Sequence, residues 1–143
     1  VYLKALCVTK KERVIMKIEH IAIWTKDIEK TKEFYCKYFN AISNEKYINH
    51  KRKFESYFLS FDTGCRLEIM QLPILHKKDN PLLDYVGLAH FAISVGSKEK
   101  VLELTETLRN DGYKIIGEPR TTGDGYFESV ILDCDGNKIE ITI

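Results

Sequence analysis

The chain has 143 residues, 44% of them hydrophobic and 30% charged, with a net charge of +1. That length suits one domain with a real core, and the charge balance gives no footprint for nucleic acid. No stretch approaches the ~20 consecutive apolar residues of a membrane-crossing helix, and Cys7, Cys36, Cys65 and Cys134 form no C-x-x-C pair, so free thiols in a reducing cytoplasm are expected.

Residues 1–15 precede the first methionine, Met16. Their apolar part is too short for a secretory signal, and they read as an N-terminal extension to a single domain of residues 16–143. Residues 18–24 alternate as a strand. Asp27 is a plausible N-cap, although Lys30 stands where a capping-box Glu would be. Ile28, Thr31, Phe34, Tyr35, Tyr38 and Phe39 then mark one face of a helix. Strands are expected over residues 43–49, 54–61 and 66–71, with Asp62-Thr63-Gly64 as a turn between the last two.

Residues 73–84, with Pro73 and Pro81, read as a linker between a first module (16–72) and a second (85–143). The second repeats the first. Residues 86–95 read as a strand, Ser97 as an N-cap, and Val101, Leu102, Leu104, Thr105 and Leu108 as a helix face that ends at Asp111-Gly112. A short strand over 113–116 and a turn-prone segment over 117–125 follow. Strands over 126–132 and 138–143 are then joined by the hairpin signal Asp133-Cys134-Asp135-Gly136-Asn137. Each module is thus β-α-β-β-β. Neither covers both faces of its own sheet, so the fold expected is α+β, with two βαβββ modules forming one curved eight-stranded mixed sheet around a concave surface.

The repeat extends to chemistry. Glu68 follows His20 by 48 residues and Glu140 follows His90 by 50, and all four lie in short apolar runs. Imidazoles and carboxylates in such surroundings need compensation. Two neutral imidazoles and two carboxylates converging on one divalent cation would compensate all four. A lone His or Glu on a strand is more often a bonded core residue or a solvated one; recurrence at matched positions favours a metal site. Strand alternation puts the apolar flanks, Ile21, Ile23, Leu67, Ile69, Phe91, Ile139 and Ile141 among them, on the opposite face. By the same rule Glu19 should face away from His20 and not act as a ligand. His50 and His76 read as surface residues. No G-x-S-x-G, G-x-x-x-x-G-K or G-x-G-x-x-G motif is present.

The stretches around His20, Phe34-Tyr35, Arg66-Leu67-Glu68-Ile69, Leu88-Ala89-His90-Phe91 and Asp135-Gly136-Asn137-Lys138-Ile139-Glu140 resemble the vicinal oxygen chelate superfamily. That group includes glyoxalase I, fosfomycin-resistance proteins, extradiol dioxygenases and bleomycin-binding proteins. Four ligands, with Glu68 filling the mid-chain position, are similar to the glyoxalase I (lactoylglutathione lyase) branch. The resemblance implies a metal-dependent lyase or isomerase that acts on a small substrate with adjacent oxygens through an enediolate. His20, Glu68, His90 and Glu140 would hold one Ni, Zn, Co or Mn ion, with Glu140 first and Glu68 second as the proton-transferring carboxylate. Ile21-Ala22-Ile23-Trp24 lacks the arginine that bacterial glyoxalase I places there for glutathione, which points away from a glutathione adduct.

Two other readings remain open. One is metal-dependent thiol or water addition to a small electrophile, with Arg66, Lys138 or Arg120 near a phosphonate. The other is a non-enzymatic small-molecule binder. A homodimer is expected. Whether the modules pair within one chain or between two is open at this point. Trp24, Tyr57, Phe58 and Tyr126 are either pocket walls or core.

Overall fold

The structure, a computed structural model, describes residues 17–76, 79–84 and 86–143. The expected extension over 1–15 lies outside them. Helix α1 spans Ile28–Phe39 and helix α2 spans Lys98–Asn110. Both begin as expected. The Asp27 carboxylate accepts the Lys30 N–H at 3.1 Å and the Ser97 hydroxyl accepts the Lys100 N–H at 3.3 Å, each satisfying one orphan donor of a first turn. Helix α1 ends on Asn40 in the left-handed region, φ 54°, which asparagine tolerates better than most residues. No helix among the described residues is long and apolar enough to cross a membrane.

The first module contains β1 (His20–Trp24), β2 (Ile42–Ser43), β3 (Tyr47–Asn49), β4 (Phe54–Ser60) and β5 (Arg66–Gln71). The second contains β6 (Phe91–Ser94), β7 (Ile115–Thr121), β8 (Phe127–Leu132) and β9 (Lys138–Thr142). In each, the strand that opens the module pairs in parallel with the one that closes it: β1 with β5 and β6 with β9. Two βαβββ modules are therefore present. Within the chain, however, their strands divide into two sheets, ordered β1-β5-β4-β2 (with β3 also on β4) and β6-β9-β8-β7, rather than one of eight strands. Strands β1 and β6 each form an edge.

Three segments differ from the sequence expectation. The strand expected over 43–49 is two short ones, both paired with β4. The side chain of Asn44, between them, accepts the Phe58 N–H at 2.7 Å and replaces a ladder bond. Strand β6 covers only the end of the segment 86–95, because β9, its single partner among the described residues, begins at Lys138, level with His90, and gives residues 86–89 nothing to pair with. Strand β7 runs through Gly117 and Pro119 to Thr121, where turns were expected. It is an edge strand, so a proline without an N–H is tolerated. Register shifts on either side of Gly117 absorb the irregularity, and a Cβ at Gly117 would meet Val130 Cγ2 at 2.9 Å.

Each helix packs on one face of its sheet. Ile28, Phe34, Tyr35 and Phe39 of α1 cover Tyr57, Leu59, Leu67 and Ile69; Val101 and Leu108 of α2 lie with Ile131, Ile139 and Ile141 in the same continuous core. Thr105 on α2 and Ser129 on β8, both fully buried, share a hydrogen bond of 2.7 Å, which satisfies two polar groups at once. The modules meet through α1. Phe34 and Tyr38 pack on Tyr113 with ring centroids 4.8 and 5.4 Å apart, and the Tyr35 hydroxyl donates to Asp133 Oδ2 at 2.8 Å. Burial pushes the Asp133 carboxyl up and the Tyr35 phenol well up.

Candidate metal centre: two half-sites

Alternation along β1 turns Ile21 and Ile23 toward the core and leaves His20, Ala22 and Trp24 on the uncovered face. On β5, Leu67 and Ile69 are buried, so Arg66, Glu68 and Met70 share the outer face. The register sets Glu68 between Ala22 on β1 and Phe58 on β4. His20 Nε2 lies 3.7 Å from Glu68 Oε2.

The second module repeats this arrangement. Glu140 sits between Ala92 on β6 and Val130 on β8, and His90 Nε2 lies 3.1 Å from Glu140 Oε1. In both modules the residue two after the histidine is alanine, whose small side chain leaves room beside the carboxylate. The carboxylates are 16% and 20% exposed while the imidazoles are 40% and 43% exposed. Each pair thus presents a sheltered acid and an accessible ring at a sheet edge.

Each expected His–Glu pair is therefore together in its own module. The two pairs do not join within one chain: among the described residues, no three His, Cys, Asp or Glu side chains are gathered as a metal-holding group. The clefts of the single chain agree. One of about 890 Å³, between the modules, is lined by none of the four residues. Another of about 720 Å³, beside the segment joining the modules, is lined by His90 alone of the four.

Other expectations resolve individually. His50 and His76 are exposed, and Cys36, Cys65 and Cys134 are free thiols. Tyr57 is core: it is 7% exposed and its hydroxyl donates to Glu29 at 2.9 Å. Phe58 flanks Glu68, and Trp24 is exposed beside Phe54 at 6.2 Å between centroids. Tyr126 is exposed. The three cations considered for a phosphonate each face a carboxylate instead. Arg66 Nε donates to Glu19 at 2.7 Å, Lys138 Nζ to Asp84 at 2.6 Å, and Arg120 lies 3.7 Å from Glu128.

Two residues near the pairs escaped the sequence reading. Glu19 does not point away from His20: its Oε2 accepts from His20 Nδ1 at 2.6 Å. Its backbone still joins the ladder, the carbonyl accepting the Arg66 N–H at 3.0 Å, but at the open end of an edge strand its side chain turns to meet both His20 and Arg66. Glu128 is 8% exposed on β8, on the same face as Glu140. Burial first, then the charge of Glu140, holds its carboxyl above the usual range. The signal available in the sequence was its spacing of two from Val130, the residue opposite Glu140.

Comparisons with known proteins agree with this architecture. YqjT of Bacillus subtilis (strain 168), an uncharacterized protein, is 26% identical over 133 residues, covering 87% of this chain and 96% of that one. Glyoxalase I from Zea mays superposes with a TM-score of 0.70 at 23% identity, covering 88% of this chain but 44% of the maize chain; this chain thus spans less than half of that protein. The trypanothione-dependent glyoxalase I of Leishmania major gives a TM-score of 0.71 at 21% identity, covering 90% of this chain and 86% of that one. At these identities the solved structures speak for the fold. The sequence profile of the Glyoxalase/Bleomycin resistance protein/Dioxygenase superfamily matches residues 17–141, and the chain belongs to that superfamily.

Proposed function

We propose that this protein is a metal-dependent, glyoxalase-like lyase or isomerase acting on a small substrate with adjacent oxygens. We further propose that its centre is assembled from two copies of the chain, His20 and Glu68 of one meeting His90 and Glu140 of the other. One observation carries the reading: two His–Glu pairs at equivalent register positions, each on an uncovered sheet face and each incomplete alone. The edge strands β1, which begins with His20, and β6, which begins immediately after His90, each have a side unpaired among the described residues, which a second copy related by a two-fold axis would cover reciprocally.

The donor set fits a divalent cation. Two imidazole nitrogens and two carboxylates suit Ni, Zn, Co or Mn, and both Nε2 atoms are turned toward their glutamates. Bound there, the ion would supply Lewis acidity to the substrate oxygens. His20 and His90 are fixed ligands in this scheme. Glu140 takes a proton from the carbon beside an oxygen and returns it to the neighbouring carbon, with Glu68 in second place. Phe58 beside Glu68 and Val130 beside Glu140 give each carboxylate an apolar neighbour.

No observation favours a phosphonate substrate, since Arg66, Lys138 and Arg120 are each engaged by an acid. The test is turnover of methylglyoxal by the Ni²⁺- or Zn²⁺-loaded protein with several thiols, glutathione and trypanothione among them. Turnover that disappears in Glu140→Gln supports the proposal. Metal bound at these four residues with no turnover in any combination would remove the glyoxalase activity and leave a binding protein.

A further inference from the structure

We propose that Glu19, held by Arg66, is a positioning residue that fixes His20 in one tautomer, with its proton on Nδ1 and its Nε2 lone pair bare toward Glu68. This rests on the reading of His20 as a ligand, but its first readout does not. A carboxylate only accepts hydrogen bonds, so the 2.6 Å contact between Glu19 Oε2 and His20 Nδ1 puts the proton on Nδ1. The other ring nitrogen is then free to bind a metal. Its 3.7 Å separation from Glu68 Oε2 is longer than a hydrogen bond, as expected where neither atom carries a proton.

The support for Glu19 is itself built. Arg66 Nε donates to Glu19 Oε1 at 2.7 Å, and Arg66 Nη2 lies 2.5 Å from the same oxygen. The Arg66 guanidinium lies 4.1 Å over the Phe58 ring. That ring in turn meets the His20 imidazole edge-on at 5.4 Å. His20 is therefore held at Nδ1 by Glu19 and against its ring by Phe58, and Arg66 ties the two supports together.

Among the described residues the second module has no counterpart. Ala89 precedes His90, and Lys138, the counterpart of Arg66, donates to Asp84. His90 Nε2 sits 3.1 Å from Glu140, within hydrogen-bond range. That histidine is free to close on its own glutamate, whereas His20 is held open.

The test uses the whole metal-free protein and two measurements. Nitrogen-15 spectra of the histidine side chains at alkaline pH report the tautomer directly. Wild-type His20 is expected as the Nδ1–H form, Glu19→Ala as the Nε2–H form usual for a free imidazole, and Glu19→Gln, whose amide oxygen still accepts, as the wild-type form. Zn²⁺ affinity, measured by competition with a chromophoric chelator, is expected to fall about 10–100-fold in Glu19→Ala, with partial rescue in Glu19→Gln. An unchanged His20 tautomer in Glu19→Ala overturns the proposal, as does an unchanged Zn²⁺ affinity where His20→Ala abolishes binding. If His20→Ala leaves Zn²⁺ binding intact, the metal reading fails, and the spectra still decide what Glu19 does.

Discussion

The two modules share a backbone plan and a His–Glu pair yet surround them differently. In the first, the outer face beyond Glu68 is aromatic: the Phe54 ring lies 6.2 Å from Trp24 and 6.2 Å from Tyr47, centroid to centroid. By register, Trp24 corresponds to Ser94 and Tyr47 to Arg120, which lies across from Glu128, and Phe54 alone keeps an aromatic counterpart, Tyr126. The inner faces match, with Leu67 and Ile69 standing where Ile139 and Ile141 stand. The inner face is constrained by packing, where a lost methylene costs stability. The outer face is free to acquire different chemistry around two equivalent acids.

The sharpest way to break the equivalence is at the acids. Glu140→Gln should lower turnover about 10²-fold or more, and Glu68→Gln should lower it less. Equal losses in steady-state assays would mean that the two glutamates do the same job. On the inner faces the modules should instead behave alike. Ile69→Ala and Ile141→Ala, both at fully buried positions, should each cost about 3 kcal/mol in urea denaturation. A much smaller cost for one would show that its module unfolds separately.

Tyr35→Phe tests the link between them. It deletes the donor to the buried Asp133 and should cost about 2 kcal/mol, because the acceptor stays buried with one partner fewer. The smallest effect separates the modules again. Lys32 first, then Lys46, hold the Glu29 carboxyl down at about 2, against 4.5 for the free group. Its contribution is therefore present above about 4.5 and is lost as the pH falls toward 2. Glu29 is half-exposed, so the change is modest after solvent screening. Acid titration of Glu29→Gln followed by circular dichroism should show a weaker dependence on pH in that window than the wild type.

Much of this was legible in the chain. The caps at Asp27 and Ser97, the paired histidines and glutamates, and the alternation that buries Leu67, Ile69, Ile139 and Ile141 follow from local rules with fixed periods. What escaped depends on partners distant in sequence. The extent of β6 is set by where β9 begins, and the continuation of β7 past Pro119 by its place at a sheet edge. Glu19 was misplaced because at the open end of β1 its side chain is drawn to His20 and to Arg66, a partner 47 residues away. The division into two sheets could not be read either, since each module's pattern is satisfied by its own helix whatever its edge strand meets.

If one metal centre needs half-sites from two chains, mixing two defective variants should rebuild it. His20→Ala/Glu68→Ala lacks the first half-site and His90→Ala/Glu140→Ala lacks the second, so neither alone should bind Zn²⁺ at this centre. Exchanged into mixed dimers, they restore one intact centre in each mixed pair, and the mixture should regain about a quarter of the wild-type Zn²⁺ capacity. A mixture that exchanges subunits and stays as empty as its components would contradict the account.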